Sequence, residues 1–489
     1  MDDHRLTDAP PAAAFDLEPP APAPYPAPFA DVALPTWRLV LLLAWPALLQ
    51  QWLVISVPLF DSYLAGTGHQ VAPQAVQTTA NYLSWFVASY TILVTTGSTA
   101  LVARFVGAGD RAAAVRATNQ AVQLALLLGL VGSAAGLLGL PLLLELLQVR
   151  GEAAALTVAY MRPLFLLLFF PVVTTGGVAS LIGAGDTRTG LFIYGGVALL
   201  NIPLTWLFFR GAGPLPGLGF VGISWGTALS HVVGSLVVVA LLLRGRAGLR
   251  LRPALLLPDW HLLYRLLRVS VPAAVDSLSV AAAQLWFLRI VNGLSEPEVA
   301  AHGIALRWEA ISYQSGAAFG VAAMALVGQN LGAGRPDRAA RSGWTAFLLG
   351  GGLMTFFGAV FYAAAPAMFR LFCPDPSQQP TVEAGVQVLR LVAFLMPPLA
   401  STMVFTAALR GAGDTAFPVL FTWLGFLAIR IPLAYLLTRP EVDLGPLGMI
   451  PGYDRGLFGA WVAMCVDIWA RGLFCALRFA GGKWKGIEV

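Results

Sequence analysis

Asp61 in VPLFDSYLAG, Asp276 in VPAAVDS, Glu309 in LRWEAIS and Asp467 in CVDIWARG each sit inside a run that is otherwise largely apolar. An ionisable side chain at such a place is costly, so each needs a partner or a task. Asp61 has company of the right kind: Asn201 and Thr205 stand at i, i+4 spacing on one helix face, and Thr227 lies in the next apolar run. Together these four offer only oxygen and amide groups, a set that suits a hard cation such as Na⁺ or the proton of a carboxyl. A carboxyl that takes up a proton on one side of a membrane and loses it on the other can drive transport. The plainer alternatives stay open: helix-to-helix hydrogen bonding for Asn201, Thr205 and Thr227, and an Asp61 that caps its helix and meets water.

Depth counted from the helix ends puts Arg430 and Asp467 level, so they are expected to form a buried structural ion pair that Arg471 joins. Arg289 and Glu309 both fall toward the opposite side and are expected to pair; Asp276 lies alone in the inner part of its run. The five histidines, at 4, 69, 231, 261 and 302, form no HExxH and no Ser–His–acid arrangement, so no catalytic residue and no enzyme activity is expected. Three cysteines without a CxxC pair give neither a disulfide framework nor a resident metal site. No cofactor is expected beyond H⁺ or Na⁺ as a coupling ion.

The elements that must position these groups follow from hydropathy. With 57% hydrophobic and 11% charged residues among 489, and a mean hydropathy of +0.74, the chain is too apolar for an ordinary soluble protein. Runs long enough to cross about 30 Å of hydrocarbon occur at 37–65, 77–104, 118–147, 155–182, 188–209, 219–243, 266–292, 302–328, 342–370, 386–409, 416–438 and 457–478. The expected fold is therefore an all-α polytopic membrane protein with twelve transmembrane helices. Nineteen Lys and Arg residues fall in the connections on the side of the N-terminus and seven on the other. That bias places both termini in the cytoplasm of a cell whose plasma (inner) membrane holds the protein. The net charge of +5 is explained by this orientation, and no nucleic-acid partner is expected. Residues 1–36, rich in Pro, Ala and acids without a basic start or cleavage site, read as a disordered cytoplasmic tail.

Twelve spans resolve into two copies of six. GAGDT recurs at 183 and 411, ALVARFVGAG at 100–109 returns as ALVGQNLGAG at 325–334, and NIPL at 201–204 returns as RIPL at 430–433, at offsets of 225 to 229. An even number of spans keeps both copies in one orientation, related by an axis along the membrane normal. Two pseudo-symmetric lobes are expected at 37–245 and 266–489, joined by a cytoplasmic linker at 246–265. GAGDT resembles half of a GxGxxG phosphate loop, but Arg188 stands where the third Gly belongs and no strand precedes it. It reads as a corner: a left-handed Gly ends one helix and Asp or Thr caps the next.

LAWPALLQQ and DSYLAG in span 1, IGAGDT, VPAAVD, LVGQNLGAGRPDRAA at 326–340 and LRGAGDT, in this order, closely resemble the multidrug and toxic compound extrusion (MATE) family. The resemblance runs from about Leu39 to the GKWK stretch at 482–485. It implies a V of two six-helix lobes that exports amphipathic, often cationic, small molecules in exchange for H⁺ or Na⁺, as a monomer. Asp61 matches the family's span 1 carboxylate, Asn201 its span 5 Asn, and Thr227 a span 6 Thr of the branch that couples through the N-terminal lobe. Thr205 departs from that branch, which commonly carries Asp four residues after the Asn; the lost charge favours H⁺ over Na⁺. The span 7 Glu of another branch is missing, with Val280 near its place, so Asp276 and Glu309 are second-lobe candidates only. A lipid-linked oligosaccharide flippase of the same superfamily, or a non-transporting membrane receptor or scaffold, are the alternatives.

Overall fold

A computed structural model describes residues 32–66, 71–146, 151–443 and 448–488; most of the expected N-terminal tail lies outside this range. The described residues form twelve helical rods. The first lobe holds α1 (Thr36–Gly66), α2 (Val71–Gly107), α3 (Arg111–Leu146), a rod made of α4 (Gly151–Leu166) and α5 (Phe169–Gly183), α6 (Thr187–Arg210) and α7 (Phe220–Leu243). The second holds α8 (Trp260–Val291), α9 (Glu296–Gly332), α10 (Pro336–Arg370), α11 (Gln379–Gly411), a rod made of α12 (Ala416–Trp423) and α13 (Ile431–Thr438), and α14 (Gly456–Ala480).

Ten of the rods are long and apolar enough to cross a membrane as straight or continuous helices, and the α4–α5 rod, bent by 45°, makes an eleventh. The bend follows from Pro163 and Pro171, whose rings and missing N–H groups interrupt the helical ladder on either side of the break. Several rods start earlier than hydropathy suggests: α8 begins at Trp260 and α9 at Glu296 rather than at 266 and 302. Polar capping turns extend these helices beyond the apolar part, with Asp259 accepting from the His261 and Leu262 amides and Ser295 with Glu298 closing a capping box. The linker therefore shortens to 244–259 and is fixed in place. Asn119 and Gln120 of α3 hold it through bonds to Arg250 O, Leu255 O and Leu257 O and from the amides of Arg252 and Asp259.

The duplication is visible in the corners. Gly109, Gly185, Gly334 and Gly413 all have φ between +69 and +91°, and each is followed by an amide that bonds five residues back, as with Asp186 N to Leu181 O and Asp414 N to Leu409 O. Asp186 caps α6 as expected, accepting from Thr189 N. Asp414 does not cap α12; its carboxylate takes Arg478 at 2.8 Å instead. Each lobe also carries a short antiparallel hairpin before its last rod, β1 (Gly211–Ala212) with β2 (Leu215–Pro216), and β3 (Glu441–Asp443) with β4 (Met449–Pro451).

One apolar core belongs to residues 64–269 and another to 287–468. A third sews the lobes together, and α1 contributes Leu39, Val40, Leu43 and Ala44 to it beside residues of α9, α10, α11 and α14. The N-terminal half of α1 thus packs in the second lobe. Its C-terminal half lies with α6 and α7 in the first.

Candidate functional site

The C-terminal half of α1 delivers Asp61, which is 4% exposed, against α7. Thr227 Oγ donates to Asp61 Oδ2 at 3.0 Å and accepts from Asn201 Nδ2 at 3.0 Å, so the three residues form one chain across α1, α7 and α6. Thr205, fully buried one turn along α6, completes the set. Close approach of α6 and α7 is what places them together. A Cβ on Gly226 would run into Thr205, and one on Gly222 would run into the Phe208 backbone, so two small residues let the helices touch. The four residues grouped by spacing and type are thus brought together, apart from any direct bond to Thr205.

Three oxygens at this site have no hydrogen-bond partner among the described residues: Asp61 Oδ1, Asn201 Oδ1 and Thr205 Oγ. Two of them can only accept while Asp61 is ionised, and a buried acceptor without a donor is costly. Among the described residues no Lys, Arg or His is paired with Asp61. The constellation lacks one positive element, and either a proton on Asp61 or a small cation would supply it.

The second lobe is organised on the opposite principle. Asp467 of α14, fully buried, accepts from Arg430 at 2.7 Å and from Arg471 through two bonds of 2.7 and 2.8 Å. Both guanidiniums lie against the Phe426 ring, at 4.3 and 4.7 Å, and Arg430 also donates to Gln284 at 3.2 Å. Between α12 and α13 the rod widens into a π-turn over Leu424–Arg430, the local feature that presents Arg430 inward. Gly425 is required there because any Cβ would overlap Asp467 Oδ1.

The expected Arg289–Glu309 pair is not formed. Arg289 faces outward on α8 and is exposed, whereas Glu309 is half-buried on α9 within electrostatic reach of Arg430. Arg289 lies in the last turn of α8, whereas Glu309 lies more than three turns into α9, so the two stand at different depths. Asp276 is bound at 2.6 Å by Arg410, a residue read from sequence only as an orienting charge. Its carboxylate is already neutralised, unlike that of Asp61. Arg410, Gln284 and Gly226 were not singled out by sequence; the Arg that precedes the second GAGDT, where the first copy has Ile182, was the available signal for Arg410.

Two six-rod lobes, one holding an unmatched buried carboxylate and the other a closed charge cluster, define a polytopic membrane transporter. The MatE family matches residues 46–207 and 272–436, one stretch in each lobe, and the chain belongs to that family. It is 28% identical over 410 residues to the probable multidrug resistance protein NorM of Thermotoga maritima, covering 83% of this chain and 84% of the relative. It is 27% identical over 447 residues to the multidrug resistance protein PmpM of Pseudomonas aeruginosa, covering 88% and 90%. Its fold matches an outward-facing multidrug resistance MATE family transporter of the MOP superfamily with a TM-score of 0.82 at 20% identity, over 92% of this chain and 97% of that one. A MOP superfamily transporter from Pyrococcus furiosus matches equally well, with a TM-score of 0.82.

Proposed function

We propose that this chain is an antiporter that exports amphipathic, often cationic, compounds across the inner membrane by alternating access of lobes 37–245 and 266–489, with both termini in the cytoplasm. The coupling ion is H⁺ in preference to Na⁺. The observation that carries this reading is the Asp61–Thr227–Asn201 chain with its three unpartnered oxygens. A site with a single carboxylate and neutral oxygens holds a metal cation weakly, since affinity for hard cations grows with ligand charge. A proton on Asp61 instead removes the buried charge outright.

In this mechanism Asp61 is protonated from the outside, α1 rearranges near Pro46 and Pro58, and the first-lobe cavity releases its substrate. Ionised Asp61 then favours a cationic substrate, to which aromatic side chains add cation–π attraction. The flippase reading is disfavoured because Arg410, Arg430 and Arg471 are already matched with carboxylates and are not available to a pyrophosphate. The test is export of a fluorescent cation from proteoliposomes under an imposed pH or Na⁺ gradient. Wild type responds to the pH gradient, and Asp61→Asn does not. Coupled export that survives in Asp61→Asn removes this carboxylate from the mechanism.

A further inference from the structure

The duplicated stretches ALVARFVGAG and ALVGQNLGAG end α2 and α9, and the two meet each other at the inner end of the molecule. Gly107 presses on the backbone of Gln329, and Gly332 presses on the backbone of Arg104, so closely that a Cβ on either would overlap. Residues 104 and 329 are 225 apart, as are 107 and 332, the same offset as the duplication. The contact is therefore one half-contact used twice about the pseudo-two-fold axis.

Each half reaches across to the GAGDT corner of the other lobe. Gln329 Nε2 donates to Gly183 O at 2.8 Å. Arg104 Nη2 donates to Ala412 O at 3.1 Å and to Ile487 O at 2.9 Å. The first Gly of each corner meanwhile sits against a carbonyl of its own lobe's long helix, Gly183 on Thr99 and Gly411 on Met324, again 225 apart. Arg replaces Gln in the first copy where a second carbonyl, that of Ile487 beyond the end of α14, is within its longer fork.

We infer that Arg104 and Gln329 are positioning residues of the transport cycle: a symmetric pair of latches that hold the inner end shut by bonding the opposite lobe's GAGDT corner. This rests on the reading that the two lobes alternate. Opening inward must break both latches, and each releases a helix-terminal carbonyl that water can then satisfy. Six spans of separation and two copies of one motif are explained together, because each copy supplies one latch and one receptor.

Spin labels at Ala112→Cys and Ala416→Cys, exposed positions at the inner starts of α3 and α12, report the lobe separation in the purified full-length chain; the three native cysteines are buried. No transported compound is needed, so the outcome is independent of what the protein exports. The double variant Arg104→Ala/Gln329→Ala is expected to add a longer-distance component, with roughly a tenfold rise in the inner-open share. Arg104→Gln, which gives the first copy the residue of the second, is expected to stay near the wild-type distribution. A merely structural role predicts the reverse: a lower melting temperature with unchanged distances. That result overturns the proposal, as does an Arg104→Gln distribution as open as that of Arg104→Ala. If the double variant does not fold, Gln329→Ala alone must show an intermediate open share, and a wild-type distribution in it is equally decisive against the latch.

Discussion

Two buried aspartates in this protein should respond to the same substitution in opposite ways. Asp467 accepts three charge-assisted bonds from Arg430 and Arg471 at 2.7 to 2.8 Å and is fully buried. Asn in its place keeps one acceptor oxygen and leaves two guanidiniums without a counter-charge inside the protein. Breaking a buried pair in this way costs about 3–5 kcal/mol, a large share of a typical total of about 5–15 kcal/mol. At roughly 2–4 °C per kcal/mol for a large domain, Asp467→Asn should melt about 6–20 °C lower. Among the described residues Asp61 has no cation beside it and one unpartnered oxygen, so Asp61→Asn removes an uncompensated charge and should melt at the wild-type temperature or above. The assay is thermal unfolding of both variants in one detergent, with ion-coupled flux in proteoliposomes normalised to folded protein. Asp467→Asn should retain coupling per folded molecule, and Asp61→Asn should lose it. An Asp467→Asn protein with unchanged melting and abolished coupling would refute the division of labour between the lobes.

Thr227→Val removes the hydroxyl that links Asp61 to Asn201, so coupled flux should fall sharply with a stability loss of about 1–3 kcal/mol, while Thr227→Ser retains both. Thr205→Asp restores a second carboxylate to the site and should make flux respond to a Na⁺ gradient; indifference to Na⁺ would show that Thr205 lies outside the ion's shell. Gly226→Ala forces α7 off Thr205 and should destabilise by about 1–3 kcal/mol in thermal unfolding. Outside the membrane-spanning segments, the Ser377 backbone amide, followed by its side chain, holds the Asp375 carboxyl below its ordinary value. A depressed folded value means the contribution is present above the unfolded value of about 3.9 and is lost as pH falls through the folded one. Carboxyl NMR should place the Asp375 midpoint below about 3.9, and Ser377→Pro, which deletes the amide, should raise it.

Depth along a helix is legible in sequence only where the helix ends are. Arg430 and Asp467 could be matched because both count to the same level, with Arg471 one turn from Asp467 on the same helix, and Asp61 with Asn201, Thr205 and Thr227 because their chemistry is complementary. Arg289 and Glu309 were paired only by falling toward one side of their runs and do not meet: Arg289 stands in the last turn of α8, whereas Glu309 stands more than three turns into α9, whose true start at Glu296 hydropathy missed. The π-turn at Leu424–Arg430 leaves little trace in hydropathy; it becomes necessary only once Gly425 faces Asp467. Helix starts at Trp260 and Glu296 were missed because polar capping turns lie beyond the apolar part that a hydropathy count detects. The GAGDT corners were read correctly as helix termini at both places, but their different partners, Arg246 for Asp186 and Arg478 for Asp414, depend on where the last rod of each lobe ends.

The divided allegiance of α1 has a mechanical consequence. Its lower residues, Leu39 to Ala44, are embedded in one half of the protein, and its upper carboxylate is fastened to the other. A single continuous rod therefore ties the halves like a connecting shaft, with Pro46 and Pro58 as its compliant points. On the proposed mechanism, a charge change at Asp61 would reach the far half along this rod itself. In such a design, where the ion sits and where the protein hinges need not be the same place.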